Sequence, residues 1–509
     1  MSISTFLMRY IKECLIIACI VIGVFLLRMM FASTSSHFSY PAYFQVRQTE
    51  NILTDAIPIS YDELSYGGRH LTINPIYSYI LAIFSRVLGI ENALKVIPNL
   101  FASLLVAVMF LISFEFTKSK AISVLTAFTA GFIPVFFAYT VNNVSIYTLM
   151  IPLSFLASYL FIKAHDSQKN RRMFFIVTMF MIFLHPSSWI WLFGFAVYFI
   201  ICWVEHIKIA NWVIESFIAI FFFALVWTTI TFRKALSFHG ISILWQNIPI
   251  AIRATSFTQF NFFMAISLVG IIPFAAAFWV MYKQGYKARN KKIIFMVAQM
   301  TSAFLLLWLT FVSFFVGLMF FAVSLLSLFP LFYKSFLEYV KKTKFANYDK
   351  FVWAGAILLL VLTSAVPSLV FTALEVRDGI TSEMVDAAEF IKENTAPDAT
   401  IISSLYDSQF IMSHSKRKTF MDDVFLLAPA PDVRFDAVEN IYSTSFGTVV
   451  LGIIAEYELE NVYILHDSSR LEEYWNFELT FTKDRECFMP VFFADPITIY
   501  KVECELVEA

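Results

Sequence analysis

The segment YDELSYGGRH, residues 61–70, determines how the rest of this chain is interpreted. It holds two carboxylates, an arginine and a histidine around a Gly-Gly pair, although mostly apolar sequence lies on both sides of it. Glycine adopts backbone conformations that other residues avoid, so Gly67 and Gly68 predict a tight turn with close backbone approach. The segment is either a structured polar turn that carries chemistry or an ordinary solvated loop.

Composition places this turn in a polytopic α-helical membrane protein. Hydrophobic residues make up 59% of the chain and charged residues only 15%, whereas a soluble domain carries about 25% charged residues. A helix needs about 20 apolar residues to cross a bilayer. We therefore predict about eleven transmembrane helices, at 13–33, 96–116, 121–140, 146–163, 173–185, 189–205, 212–232, 259–282, 293–310, 312–332 and 352–374.

The charges between these spans predict an orientation. If the apolar run 75–90 is a half-buried part of the first outer loop, every basic loop lies on one side, which the positive-inside rule identifies as cytoplasmic. The N-terminus is then cytoplasmic, and the first span is a retained anchor rather than a signal peptide. We expect a multi-pass protein of the cell membrane, with a transmembrane domain at 1–374 that includes an outer loop at 34–92. Residues 375–509 then form an extracytoplasmic domain with 26 acidic and 10 basic residues, a net charge of −16.

This acidic tail has the pattern of a small α/β domain. Apolar residues from Met384 to Ile391 lie on one helical face, and the helix stops before Pro397 and a strand-like TIISS. FGTVVLGIIAEYELENVYILHD again indicates a helix and then a strand, and MPVFFADPITIYKVECEL indicates two strands around an Asp-Pro turn. Cys487 and Cys504 lie in this domain, where a disulfide is permitted, and the spacing leaves their pairing open.

Several functional classes are disfavoured by the motifs. The sequence has no Cys-x-x-Cys, His-Cys cluster, P-loop or G-x-G-x-x-G, which argues against a zinc site, a nucleotide-driven pump and a dinucleotide enzyme. A transporter is disfavoured because the spans contain few charges. We expect no nucleic-acid partner.

The turn at 61–70 belongs to a larger polar loop. The preceding AYFQVRQTENIL can form a helix that brings Tyr43, Arg47 and Glu50 onto adjoining turns. After the turn, INPIYSYI returns the chain to the membrane surface. The loop therefore gathers carboxylates, arginines and a histidine at the outer interface.

These residues resemble the GT-C superfamily of membrane glycosyltransferases, which includes oligosaccharyltransferase catalytic subunits and protein mannosyltransferases. The closest likeness is to archaeal and bacterial members, through PAYFQVRQTE, DELSYGGR and INPIYSYI in the first loop. In the tail, AAEFIKENTAPDATIISS, RKTFMDDVFLLAP and ITIYKVE are similar to the extracytoplasmic domain of that group. The resemblance implies transfer of a sugar from a polyprenyl-phosphate-linked donor to a protein or glycan acceptor on the outer face, beside membrane lipid.

The chain departs from the family at its acidic positions. Pro41 stands where the family motif begins with aspartate, and Gln45 stands in place of a histidine. A second acidic site is expected between the third and fourth spans, where this sequence reads AYTVNNVSIYT and has no carboxylate. Proline neither coordinates a metal nor accepts a proton. Either another acid takes over the reaction, or the chain is a catalytically inactive scaffold or accessory subunit of a glycosylation assembly.

The resemblance and the charges together nominate site residues. The candidate catalytic acids are Asp62, Glu63 and Glu50, and the candidate substrate-binding residues are Arg47, Tyr66, Arg69, His70, His185, Arg233 and Lys234. General-base catalysis needs one carboxylate near the acceptor hydroxyl, and arginine suits a phosphate leaving group. The structural alternatives are turn capping for Asp62, tying down the loop for Arg69, interfacial snorkelling for Arg233 and Lys234, and turn formation for His185. The family allows a divalent cation, magnesium or manganese, whose ligands in this chain are unknown.

Overall fold

The computed structural model describes residues 3–253, 262–286, 289–344, 348–469 and 479–504, which fold into two compact units. The helical unit comprises Met1–Ser36, Asn74–Thr231 and Ser256–Asp378, and the mixed unit comprises His37–Ile73, Phe232–Thr255 and Gly379–Ala509. Two loops that the sequence analysis placed in the transmembrane domain, at 37–73 and 232–255, thus fold with the C-terminal residues. Hydrogen bonds and apolar contacts with the C-terminal residues attach both loops to the mixed unit.

The helical unit consists of α-helices with two short π-helical segments. Its α-helices are Ile3–Ala32, Ile76–Leu88, Ile90–Ser103, Leu105–Thr117, Lys120–Gly131, Pro134–Val141, Tyr147–Ala164, Gln168–Leu184, Ser188–Val204, Asn211–Thr231, Phe262–Val269, Ile271–Val280, Lys291–Trp308, Phe314–Val340, Asp349–Leu360 and Val366–Arg377, and the π-helical segments are Met281–Tyr286 and Val361–Ala365.

The polytopic membrane class is confirmed. The number of spans depends on how two bent pairs of helices and two short helices are counted. Among the described residues, seven helical segments are long and apolar enough to cross a membrane, or nine if each bent pair is one span. These nine correspond to nine of the predicted spans, one of which begins at 259–261, outside the described residues. The other two predictions fall on Gln168–Leu184 and Ser188–Val204, which have 17 residues each.

Both bends have identifiable backbone causes. The 43° bend precedes Pro134, whose ring has no N–H to continue the preceding helix. The 87° bend lies at Gly270, whose φ of 98° is readily adopted only by glycine, and Pro273 lies in the first turn of the next helix. The interruptions are therefore encoded locally.

A buried carboxylate gathers basic loops at one end of the helical unit. Glu115 lies 2.6 Å from the Lys118 ammonium and 2.9 Å from those of Lys163 and Lys292. These lysines lie in or beside three different loops, so all three loops meet at the same end.

Arg28 has partners that the sequence did not predict. Its guanidinium donates to Asn99 Oδ1 at 2.9 Å and Thr140 Oγ1 at 2.6 Å, and it lies over the Phe137 ring. Neutral oxygens and an aromatic face thus surround a cation that is almost fully buried within the helical unit.

The mixed unit is built around a five-stranded sheet. Its helices are Ala42–Asp55, Arg233–His239, Ser382–Asn394, Leu405–His414, Pro431–Ser443 and Gly447–Glu456, with 3₁₀ turns at Gly240–Trp245 and Thr480–Lys483. Its strands are β1 (Tyr61–Asp62), β2 (Arg69–His70), β3 (Thr400–Ile402), β4 (Lys418–Thr419), β5 (Val462–Asp467), β6 (Phe488–Ala494) and β7 (Ile497–Val502). The order is β4-β3-β5-β7-β6, with β3 parallel to β4 and β5, and β7 antiparallel to β5 and β6.

The α/β pattern predicted for the tail is confirmed. The helix ends at Asn394 before Pro397, the helix at 447–456 precedes β5, and β6 and β7 form a hairpin around Asp495-Pro496. Cys487 and Cys504 are paired as a disulfide.

Candidate functional site

The first polar loop consists of helix Ala42–Asp55, which was predicted, and the turn at 61–70. The helix holds Arg47 against Asp62 of the turn. The Arg47 guanidinium donates to both oxygens of Asp62, at 2.7 and 3.0 Å. The Leu64 N–H also donates to Asp62, at 3.2 Å, which fixes the start of the turn. The side chains of Arg47 and Asp62 are only 6% and 3% exposed. Asp62 therefore acts as a buried counter-ion in this geometry.

The turn that follows is short and is closed by glycine. Strands β1 and β2 pair antiparallel, with Asp62 opposite Arg69. Gly67 and Gly68 have φ of 78° and 105°, which glycine adopts without a Cβ clash. A Cβ built on Gly68 would overlap the Tyr61 hydroxyl. The tight turn predicted from the Gly-Gly pair is thus confirmed, and it presents Tyr66 and Arg69.

Arg69 binds an aspartate from the C-terminal part of the chain. Its guanidinium donates to the two oxygens of Asp422 at 2.7 and 3.0 Å and to Ser65 Oγ at 2.8 Å. The Ser65 hydroxyl in turn donates to Asp422 at 2.6 Å, and Arg69 also donates to the Val424 carbonyl. The side chains of Arg69 and Asp422 are 2% and 0% exposed. Asp422 thus neutralises Arg69 inside the mixed unit.

The backbone of the loop also joins the edge of the sheet. Ser65 forms an isolated parallel bridge with Thr419 of β4, which is an edge strand. The Thr419 N–H donates to the Leu64 carbonyl at 2.7 Å, and the Tyr66 N–H donates to the Thr419 carbonyl at 3.3 Å. The first polar loop therefore covers an edge that would otherwise expose unpaired backbone groups.

Tyr66 is a core residue of the mixed unit. It is buried with Ile402 and Phe420, and its hydroxyl donates to the Asp422 carbonyl oxygen at 2.9 Å. The guanidiniums of Arg69 and Arg434 lie over its ring at 4.6 and 5.3 Å. Burial, followed by the negative charge of Asp422, raises the pKa of Tyr66 well above its usual value.

The remaining candidates in the first loop lie nearer the surface. Glu50 pairs with Lys416 at 3.1 Å. Glu63 is exposed, and His70 is exposed with its ring 5.2 Å from that of Tyr61. Of the three candidate acids, Glu63 is the one for which the structure gives no ion pair.

The candidates outside the first loop are separated between the two units. His185 belongs to the helical unit, where its ring nitrogen accepts from the Ser187 N–H at 3.1 Å. Arg233 and Lys234 are exposed at the start of helix Arg233–His239 in the mixed unit. Further along this loop, His239 Nε2 accepts from the Leu427 N–H at 3.2 Å. The loop is thus attached to the C-terminal residues while its two cations stay accessible.

Sequence reasoning missed Gln409 and Asp423. Gln409 Oε1 accepts from Arg47 at 3.4 Å, and its Nε2 donates to Asp423 Oδ1 at 3.1 Å. Asp423 is exposed at the surface. Desolvation by the surrounding protein, and then the charge of Asp422, nevertheless raise the pKa of its carboxyl. The signal available in the sequence was the Asp-Asp pair in RKTFMDDVFLLAP.

A divalent cation does not fit the donor set that replaces the family motif. Pro41 offers no side-chain donor, and the stretch 138–148 has no carboxylate. Within the part of the chain that the structure describes, no group of three or more His, Cys, Asp or Glu side chains is placed to hold a metal.

Comparisons with known proteins place this geometry in a known fold. No protein-family model matches the sequence, and no curated protein matches it. Archaeoglobus fulgidus oligosaccharyltransferase AglB, in complex with an inhibitory peptide and a dolichol-phosphate, is similar in structure with a TM-score of 0.63 and 11% identity, over 95% of this chain and 74% of that one. The same oligosaccharyltransferase with Zn and sulfate gives a TM-score of 0.59 and 12% identity, over 93% and 72%.

A bacterial enzyme matches over nearly the whole length of both chains. ArnT from Cupriavidus metallidurans, bound to undecaprenyl phosphate, gives a TM-score of 0.55 and 10% identity, over 96% of this chain and 97% of that one. Identities this low show the fold alone. The predicted resemblance is confirmed at that level: the chain has a GT-C-like fold, with a multi-helix membrane part and a C-terminal region that contains a sheet.

Proposed function

We propose that this chain is an integral membrane glycosyltransferase, which transfers a sugar from a polyprenyl-phosphate-linked donor to a protein or glycan acceptor on the outer face. The observation that carries the proposal is the likeness to two different GT-C enzymes over more than nine tenths of the chain. One of them was seen with a dolichol-phosphate and a peptide, and the other with undecaprenyl phosphate. A lipid phosphate is thus the ligand that they have in common.

The chemistry requires a base for the acceptor and cations for the phosphate that leaves. The acceptor oxygen attacks C1 of the sugar, the bond from C1 to the phosphate oxygen breaks, and the acceptor proton passes to a carboxylate. Arg233 and Lys234 are exposed in the mixed unit and suit a phosphate dianion. Arg47 and Arg69 already have carboxylate partners, so their support of the substrate is indirect, through the turn that they hold.

The proposal is tested with the purified full-length chain in lipid nanodiscs. Undecaprenyl phosphate and dolichyl phosphate are titrated first, because their binding does not require a known acceptor. Undecaprenyl-phosphate-linked hexoses with a radiolabelled sugar are then supplied, with water as the surrogate acceptor, and release of labelled sugar is measured. We expect saturable phosphate-dependent binding and slow release. A chain that neither binds these lipids nor cleaves any donor is not a glycosyltransferase.

A second function is a scaffold that kept the fold and lost the acids. Pro41 and the carboxylate-free stretch 138–148 favour it, as do the ion pairs that occupy Asp62 and Glu50. A scaffold would bind partner proteins without cleaving the donor. If the wild-type chain is inactive and Pro41→Asp creates activity, the natural protein is such a scaffold.

A further inference from the structure

Three aspartates of the mixed unit lie in two groups of hydrogen-bonded side chains, and one of the three differs from the other two. Asp62 is bound through both oxygens by Arg47, and Asp422 is bound through both oxygens by Arg69. Asp423 instead receives a hydrogen bond from the neutral amide of Gln409 and is exposed. Two of the carboxylates are therefore neutralised and closed to substrate, while Asp423 keeps solvent access.

Gln409 links Asp423 to the helix that begins at the altered family motif. Pro41 immediately precedes helix Ala42–Asp55, and Arg47 lies on its second turn. Arg47 donates to Gln409 Oε1, so the amide orientation that directs Nε2 toward Asp423 is set from this helix. Asp423 is thus two hydrogen bonds away from the element whose expected aspartate is missing.

We propose that Asp423 is the general base of the glycosyl transfer and substitutes for the acid absent at position 41. The inference rests on the proposed function. The acceptor O–H transfers its proton to the Asp423 carboxylate as the acceptor oxygen forms its bond to C1 of the sugar. The bond from C1 to the phosphate oxygen breaks, and its electron pair leaves with the polyprenyl phosphate. Gln409 is a positioning residue that holds Oδ1 of the Asp423 carboxylate.

The electrostatic surroundings suit this role. Desolvation by the surrounding protein, and then the charge of Asp422, raise the pKa of Asp423 to about 7, whereas the hydrogen bonds from Gln409 and from its own backbone N–H, and then the charge of Arg69, lower it. A base is most effective when its pKa lies near the working pH. Since the carboxylate is the active form, the rate should rise with pH through this value and level off above it.

The decisive variant is Asp423→Asn in the full-length chain in nanodiscs, assayed by release of radiolabelled hexose from undecaprenyl-phosphate-linked hexose. We expect a loss of about 10²-fold or more in kcat, with unchanged binding of undecaprenyl phosphate. Asp436→Asn is the matched control, because Asp436 is an exposed aspartate on helix Pro431–Ser443 of the same unit. Glu63→Gln is assayed beside them.

The pH profile separates catalysis from a structural effect. Gln409→Met removes the hydrogen bond that lowers the pKa of Asp423, so the rising limb of kcat/KM should move to higher pH while the variant stays active. Normal release by Asp423→Asn, or its loss in Glu63→Gln instead, overturns the assignment while the proposed function survives. A wild-type chain that releases no sugar from any donor overturns both.

Discussion

The ion pair between Arg69 and Asp422 gives the clearest energetic expectation for a single residue. Removing one partner of a buried pair leaves an uncompensated charge, which typically costs about 3–5 kcal/mol. Arg69→Met should therefore destabilise the mixed unit by about that amount. Arg233→Met alters an exposed cation of the same unit and should change stability by no more than about 0.5 kcal/mol. Thermal unfolding in detergent, combined with hydrogen exchange over 418–424, provides the measurement.

A double variant separates the pair from the packing around it. Arg69→Met combined with Asp422→Leu removes both charges, and it should recover part of the stability that Arg69→Met loses. Equal losses in Arg69→Met and Arg233→Met would mean that Arg69 is not a structural tie. Its predicted role in phosphate binding would then regain support.

For single residues, the sequence pointed to side chains of the first polar loop but did not reveal their partners elsewhere in the chain. Arg47, Tyr66 and Arg69 were selected from a local motif, and the structure buries all three in the mixed unit, Arg47 against Asp62 and Gln409, and Tyr66 and Arg69 against Asp422. Asp422, however, is 353 residues from Arg69, and Gln409 is 362 residues from Arg47. Local spacing carries no information about such contacts, so a motif arginine could be interpreted as a phosphate ligand as readily as a structural tie.

Among the elements, the first polar loop and β4 share two backbone hydrogen bonds, and Thr419 donates the shorter one. Thr419→Pro removes the N–H that reaches the Leu64 carbonyl at 2.7 Å. We expect residues 60–70 to lose protection in hydrogen exchange. Thr419→Val keeps the N–H and the strand preference, so it should retain the protection. If both variants exchange alike, the backbone bridge does not hold the loop.

Helix Leu405–His414 should respond to acid through its last residue. His414 packs against Phe410 and Tyr43, with ring centroids 4.4 and 5.7 Å apart. Burial, and then the positive charges of His37, Lys416 and Lys392, lower the pKa of His414 from 6.5 to about 4. The unfolded chain therefore binds more protons between these values, and stability should fall as the pH drops from 6.5 toward 4.

His414→Phe keeps the aromatic ring and removes the titration. Its melting temperature should depend less on pH across this window than that of the wild type. The control is His70→Gln, since His70 is exposed on β2, and its pH dependence should match the wild type. A His414→Phe profile parallel to the wild-type profile would contradict the assignment.

The elements themselves were largely predictable, because each carries a local signal. The apolar runs, the Gly-Gly turn and the strand patterns of the tail correspond to observed elements. The sequence did not predict that 232–255 folds with the C-terminal residues. The bonds that attach it, from Asn247 to the Phe425 carbonyl and from the Ile250 N–H to Asp432, join segments 178 and 182 residues apart.

For the whole molecule, the contacts of the helical unit support the predicted common side of the basic loops. Glu115 binds Lys118, Lys163 and Lys292, which were assigned to one side from charge alone. The Lys291 ammonium also donates to the Lys208 carbonyl at 2.6 Å, which adds a fourth loop. Loops that touch one another lie at the same end of a membrane domain. The positive-inside rule then predicts that this end is cytoplasmic.

Cysteine labelling in cells tests this orientation directly. Cys14, Cys19 and Cys202 are replaced by serine, because they are free thiols, and a reporter is added as Asp398→Cys or Lys169→Cys. Both positions are exposed, Asp398 in the mixed unit and Lys169 in the first turn of helix Gln168–Leu184, beside a basic loop. A membrane-impermeant maleimide should label Asp398→Cys in intact cells and Lys169→Cys only after permeabilisation. The reverse pattern would place the mixed unit, and with it Asp423, in the cytoplasm, where a transfer reaction on the outer face could not use them.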